Sequence, residues 1–168
     1  MINKTNNKKD SKLIRKKSAR RGLKVKPEFD HKVVDVRRVT RVMAGGRRFS
    51  FSVPEVAGDK KGKVGVGVGK AGDTALAIEK AMTAAKKNMI QLPLTDKMSI
   101  PHEVEAKFNA SKVYIKPAPG RGLSAGSSVR AVLSLAGVTD VSAKLMTRSK
   151  NKLNNARAAM VALKNLAA

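Results

Sequence analysis

Gly67-Val-Gly-Lys-Ala-Gly72 is the first stretch of this chain whose residue types and spacing could do chemistry. It matches GxGxxG, leaves a valine-rich run and opens a helical one, the setting in which glycines bring backbone close to a pyrophosphate. No acidic residue follows at about 20 positions to hold a ribose, and no crossover to a parallel strand is available. A Walker-type phosphate loop fails outright, because Ala71 follows Gly69-Lys70 and Val64 stands where glycine is required. Zero cysteines exclude disulfides and thiolate metal sites, and His31 and His102 are lone potential imidazole ligands far apart in the chain. The 12 acidic residues are scattered, and neither histidine has a triad context. Neither an enzyme nor a cofactor or metal is expected.

What the residues can do is neutralise phosphates. Against those 12 acids stand 36 Lys plus Arg, a formal charge of +24 carried by every part of the chain, which implies an extended polyanionic partner. Arg37, Arg38, Arg41, Arg47, Arg48, Lys60, Lys61 and Lys63 fall at the two ends of one expected small sheet, with Lys70, Lys86 and Lys87 extending the set. Arginine forks and lysine point charges both suit phosphate oxygens. Gly45 and Gly46 permit close approach of a backbone. With one Tyr and four Phe, base stacking is poorly supplied, so shape-based reading of folded A-form RNA is favoured over reading of single strands. No recognition helix for DNA stands out. No stretch approaches the ~20 apolar residues of a spanning helix and no cleavable apolar leader follows Met1, so a cytoplasmic protein without a membrane partner is expected.

These residues need elements to hold them. Asp35 to Met43 alternates basic and β-branched residues, Ala44-Gly45-Gly46 turns, and Arg47 to Val53 returns with Phe49, Phe51 and Val53 on one face and Arg48, Ser50 and Ser52 on the other. After Gly58-Asp-Lys-Lys-Gly62, the run Lys63 to Gly69 puts valines on one face and leaves glycines bare on the other, where a phosphate backbone is the expected visitor. Asp73-Thr74 caps a helix over Ala75 to Ile90, whose Ile78, Met82, Ala85 and Met89 should lie on the Phe49/Phe51/Val64/Val66/Val68 face.

Pro93 and Pro101 bracket a domain boundary near residues 91 to 100. A second hairpin, His102 to Phe108 and Ser111 to Lys116, leads to a Pro/Gly loop over Pro117 to Ser124. A helix capped at Gly126-Ser127-Ser128 turns Val129, Val132, Leu133 and Ala136 inward and stops at Gly137. A strand over Val138 to Met146 and a helix over Asn151 to Leu166 follow. The expected fold is α+β, two small two-layer domains over 33–98 and 99–168, after a basic disordered arm over 1–32.

Laid out this way, the chain resembles the bacterial small-subunit ribosomal protein S five family over roughly Val34 to Leu166. The resemblance is carried by Val39-Thr-Arg-Val-Met-Ala-Gly-Gly-Arg-Arg-Phe-Ser-Phe51, Val56-Ala-Gly-Asp59, Gly62-Lys-Val-Gly-Val-Gly-Val-Gly-Lys-Ala71, Ala77-Ile-Glu-Lys-Ala-Met82, Lys86-Lys-Asn-Met-Ile90, Val129-Arg-Ala-Val-Leu133 and Leu135-Ala-Gly-Val138. It implies a double-stranded-RNA-binding-like β-β-β-α domain, then a β-β-α-β-α domain with a left-handed crossover. It further implies a structural protein that binds small-subunit (16S) rRNA, supports subunit assembly, contributes to translational accuracy and lies at the mRNA entry channel. Ribosomal proteins S four and S eight are the implied neighbours, with Gly120, Arg121, Gly122 and Arg130 near the S four contact, and no homo-oligomer is expected. A free-standing double-stranded-RNA module or RNA chaperone is the rival reading, and the enzyme alternative would be a nucleotide-dependent one at Gly67 to Gly72.

Overall fold

The computed structural model describes residues 28–166, so most of the expected arm lies outside the described residues. β1 (Asp30–Val33), β2 (Arg37–Met43), β3 (Gly46–Gly58) and β4 (Lys63–Ala71) precede α1 (Thr74–Lys87), and β5 (Ile90–Gln91) follows it. β6 (Val104–Phe108), β7 (Ser111–Pro117), α2 (Ser127–Ala136), β8 (Val141–Leu145) and α3 (Lys152–Asn165) complete the order. The result is the expected α+β pair of two-layer units, one built on a five-stranded antiparallel sheet and one on a three-stranded sheet ordered β6-β7-β8. β7 and β8 are antiparallel neighbours, whereas Ser124, just before α2, bridges Ser142 of β8 in parallel, so the parallel connection through α2 runs from the Pro/Gly loop into β8.

β3 is the spine of the first sheet. One edge pairs with β4 from Phe51 to Gly58; the other pairs first with β2, from Gly46 to Ser52, and then with β1, from Glu55 to Gly58. Pro54 sits at that changeover. Its carbonyl accepts from the Val34 N–H at 3.0 Å, so its missing N–H faces the break between β2 and β1, where no ladder bond is lost. β1 takes in Asp30 to Lys32, residues assigned to the arm; four residues with one apolar member carry no alternation to read.

Register corrects the expected packing of α1. Paired residues point to one face, which puts Phe51, Val53, Glu55 and Ala57 with Gly65, Gly67 and Gly69, and Val56 with Val64, Val66 and Val68 on the other. The helix covers the glycine face, not the valine face. Its buried residues are Ala77, Ala81 and Ala85, and a Cβ on Gly65, Gly67 or Gly69 would collide with backbone of Ala85, Ala81 and Ala77 respectively. The backbone that exploits the bare face is therefore the helix's own. α1 also ends sooner than its apolar spacing suggests, because the Asn88 N–H closes on the Ala84 and Ala85 carbonyls and Ile90–Gln91 peels away to pair with Lys63 and Val64.

Val56, Val64 and Val66 instead join one core with Leu133, Leu135, Ala136 and Val138 of the second unit, and with Ile115 and Leu163 beyond. The loop after β3 seals the joint: the Lys60 and Gly62 N–H groups donate to the Leu135 and Ala136 carbonyls, each at 2.9 Å. These are orphan carbonyls of the α2 C-terminus, and Gly137 at φ +83 ends that helix as expected. Val129, Val132, Leu133 and Ala136 are all buried, and Asn151 caps α3 through the Asn154 N–H at 3.4 Å.

Gly67→Ala should lower unfolding free energy by about 1–3 kcal/mol in urea titration, the cost of forcing a methyl into a closed contact. Gly72→Ala, whose Cβ meets nothing within 4 Å, should stay within about 0.5 kcal/mol.

Candidate nucleic-acid interface

The first cationic group is a two-stranded ribbon. β2 and β3 pair from Arg37–Ser52 to Met43–Gly46 around Ala44-Gly45, with Gly46 at φ +127, a region open to glycine and strained for other residues. β4 stops opposite Phe51, so most of the hairpin extends beyond the sheet and α1. It has no core of its own: Val42, Met43 and Phe49 are 75%, 48% and 46% exposed. Register places Arg38 and Arg47 with Phe49 on one face, and Arg37, Arg41 and Arg48 on the other. The expected alternation of Phe49, Phe51 and Val53 against Arg48, Ser50 and Ser52 is what the pairing produces. Lys70 lies opposite Ser52, which lies opposite Arg37, a row across three strands.

Local interactions restrain some of these cations. The Arg38 guanidinium stands 4.4 Å from the Phe49 ring centre, a cation–π contact that braces the ribbon from within. Arg37 Nε donates to Asp35 Oδ2 at 2.8 Å and Lys152 Nζ to Asp35 Oδ1 at 3.2 Å, tying the hairpin root to the start of α3. The hydrogen bond from Arg37, with help from Lys152 and against a burial effect, holds the Asp35 carboxyl below its ordinary value of 3.8. Arg41, Arg47 and Arg48 make no ion pair among the described residues and are exposed.

A second cationic group lies at the other end of β3. Lys60, Lys61 and Lys63 are exposed there, and because Gly65 abuts Ala85, the last turn of α1 brings Lys86 and Lys87 to the same end. Lys60 Nζ pairs with Asp30 at 2.6 Å, Asp59 Oδ1 accepts from the Lys61 and Lys63 N–H groups, and Lys86 Nζ stands 5.6 Å from the Phe29 ring centre. At about 3.3 Å per residue, the two ends of β3 are roughly 40 Å apart. The proposed cationic residues thus form two footprints and not one patch.

The loop Gly120-Arg121-Gly122 turns through two positive φ values, +73 and +67, and is held by the Gly122 N–H donating to Asp140 Oδ1 at 3.2 Å. Arg121 is exposed at its tip, and Arg130 is exposed on α2. Gly122 shares a groove of about 570 Å³ with Lys60, Ser134 and Gly137, so this loop adjoins the second footprint. Gly67 and Gly69 are closed by α1, leaving no room for a pyrophosphate on their face, and His31 and His102 join no cluster of three ligating side chains among the described residues. Sequence reasoning missed Glu55, which is fully buried; an acid inside Val53-Pro-Glu-Val-Ala57 was the available signal.

Fold and surface define a basic, two-sheet α+β protein whose cations project from the two ends of the longest strand of its first sheet. Its relatives narrow that class. Residues 29–93 match the family described as ribosomal protein S5, N-terminal domain, and residues 106–168 match ribosomal protein S5, C-terminal domain. Similar proteins include small ribosomal subunit protein uS5 of Mycoplasmopsis agalactiae, 50% identical over 94% of this chain and 72% of that protein. The uS5c protein of Guillardia theta is 46% identical over 92% and 91%, and uS5 of Thermus thermophilus 48% over 83% and 85%. The chain belongs to the ribosomal protein S5 family, whose members are structural and not catalytic.

Asp35 is depressed in the folded state, so its contribution is fully present above its ordinary value of 3.8 and disappears as pH falls through the lower folded value. Asp35→Asn should therefore cost about 0.5–1 kcal/mol at neutral pH and nothing in strong acid, read by urea unfolding at both.

Proposed function

We propose that this ribosomal protein is a constituent of the small subunit that grips small-subunit rRNA through its phosphates at two footprints. Arg37, Arg38, Arg41, Arg47 and Arg48 act at the ribbon, with Gly45 and Gly46 allowing close approach and Lys70 at its root. Lys60, Lys61, Lys63, Lys86 and Lys87 act at the far end of β3. The observation that carries this reading is the ribbon itself: arginines on both faces of a hairpin with no core, four of them (Arg38, Arg41, Arg47 and Arg48) exposed and without an acidic partner among the described residues. Such a ribbon suits RNA on either side. Assembly and decoding accuracy, at the mRNA entry channel, are the roles that follow from holding two RNA segments at a set distance. Gly120, Arg121, Gly122 and Arg130 are the proposed protein contact, with ribosomal proteins S four and S eight as neighbours.

Replacing Arg47 and Arg48 by Ala should weaken binding to small-subunit rRNA and flatten its dependence on log salt by up to ~0.9 per lost phosphate contact. Unchanged affinity and slope would remove the ribbon from the RNA face. In a sucrose gradient after a high-salt wash, the protein should remain near one copy per small-subunit rRNA. Salt-released protein spread over many RNAs would favour the free-standing module.

A further inference from the structure

We propose that the pocket between β1, β3 and α1 is a receptor site for a primary alkylammonium group, anchored on the Glu55 carboxylate. Glu55 is 0% exposed, and neither carboxylate oxygen has a hydrogen-bond partner among the described residues. An unpaired acid at that depth is a costly arrangement unless a donor reaches it. His31 Nε2 stands 3.8 Å from Oε1, longer than the about 2.7–2.9 Å of a charge-assisted bond, and is itself 45% exposed. The pocket, of about 430 Å³, is lined by His31, Glu55, Ile78, Glu79, Met82 and Thr83. The apolar walls of Ile78 and Met82 suit a methylene stem, and an unbranched thioether can swing to admit it. Glu79 at the rim offers a second acceptor for a cationic far end. A hard metal ion fits worse: it needs about six oxygens, and no three ligating side chains converge among the described residues.

Among the described residues, the titratable groups lining the pocket with Glu55 are His31 from β1 and Glu79 from α1; Gly67 of β4 opposite brings none. Burial pushes the Glu55 carboxyl above its ordinary value, and His31 pulls it part of the way back. A raised carboxyl gives stability that is present at acid pH and lost as pH rises through the folded value. An ammonium group reverses that sign. Its source is either a free aliphatic diamine or a lysine among residues 1–27 of the same chain, which lead directly into β1.

The test is a carbon-detected NMR titration of the Glu55 carboxyl in the full-length chain, with and without putrescine. A free-amine site shows putrescine lowering the Glu55 titration, and Glu55→Gln weakening saturable putrescine binding by at least roughly tenfold, the equivalent of one pH unit. A lysine source shows a titration already low without amine that rises when the lysines of residues 1–27 become glutamine. A carboxyl that titrates high throughout overturns the proposal. So does one held low only until His31→Gln raises it, or putrescine binding that Glu55→Gln leaves intact.

Discussion

Backbone contact between α1 and β4 is the constraint on which the rest of the first unit depends. Gly65, Gly67 and Gly69 present no side chain to the helix, and Ala77, Ala81 and Ala85 answer with the smallest one, so helix and strand backbones meet. This seating leaves little space for large side chains between the layers. It also frees the opposite face of the same strand, whose Val64 and Val66 are then available to join the core of the second unit. One alternation of glycine and valine thereby specifies two packing surfaces: a close one within the unit and a bulkier one between units.

β3 turns that packing into geometry. It is long enough, at 13 residues, to carry the ribbon at one end and the interdomain joint at the other. At the joint, the chain uses backbone: Lys60 and Gly62 donate to α2 carbonyls, while Gly58 and Gly137 allow approaches that a Cβ would block. Lys60 adopts φ +58, uncommon for a residue with a side chain, because its N–H must reach Leu135. The two cationic footprints are consequently separated by a single paired strand, whose second end is held by the core shared between the units. Their distance is a property of the fold and not of a flexible linker.

Much of this was legible because the signals were local. Gly-Gly between alternating runs marked the hairpin, Asp73 marked a helix start, and Gly137 marked a helix end; each is a residue whose own chemistry decides its conformation. The α1 face was misjudged because Ile78, Met82 and Met89 advertise an apolar stripe more loudly than Ala77, Ala81 and Ala85. Small residues matter there through what they let approach, and only the register of β4 reveals that partner. β1 was missed for a related reason: its pairing with Glu55 to Gly58 is a long-range event, and Asp30-His-Lys-Val33 has too few apolar residues to announce it. Among the proposed site residues, the division of cations between two sheet ends was readable from their order along the hairpin and its following loop. The arrival of Lys86 and Lys87 at the second end was not, because it follows from the helix length and its antiparallel run back along β4.

The few acids show how a chain of formal charge +24 keeps its field where it is useful. Self-repulsion from so many cations works against a compact state. The described acids are spent largely on joints: Asp35 on Arg37 and Lys152, Asp30 on Lys60, Glu105 on Lys112, Asp59 on the turn before β4, Asp73 on the α1 start and Asp140 on the Gly122 loop. None neutralises Arg41, Arg47 or Arg48. Because the ribbon has no core, crowding charge onto it costs the folded body little, and the repulsion between its arginines falls on the hairpin and not on the α1–β4 contact.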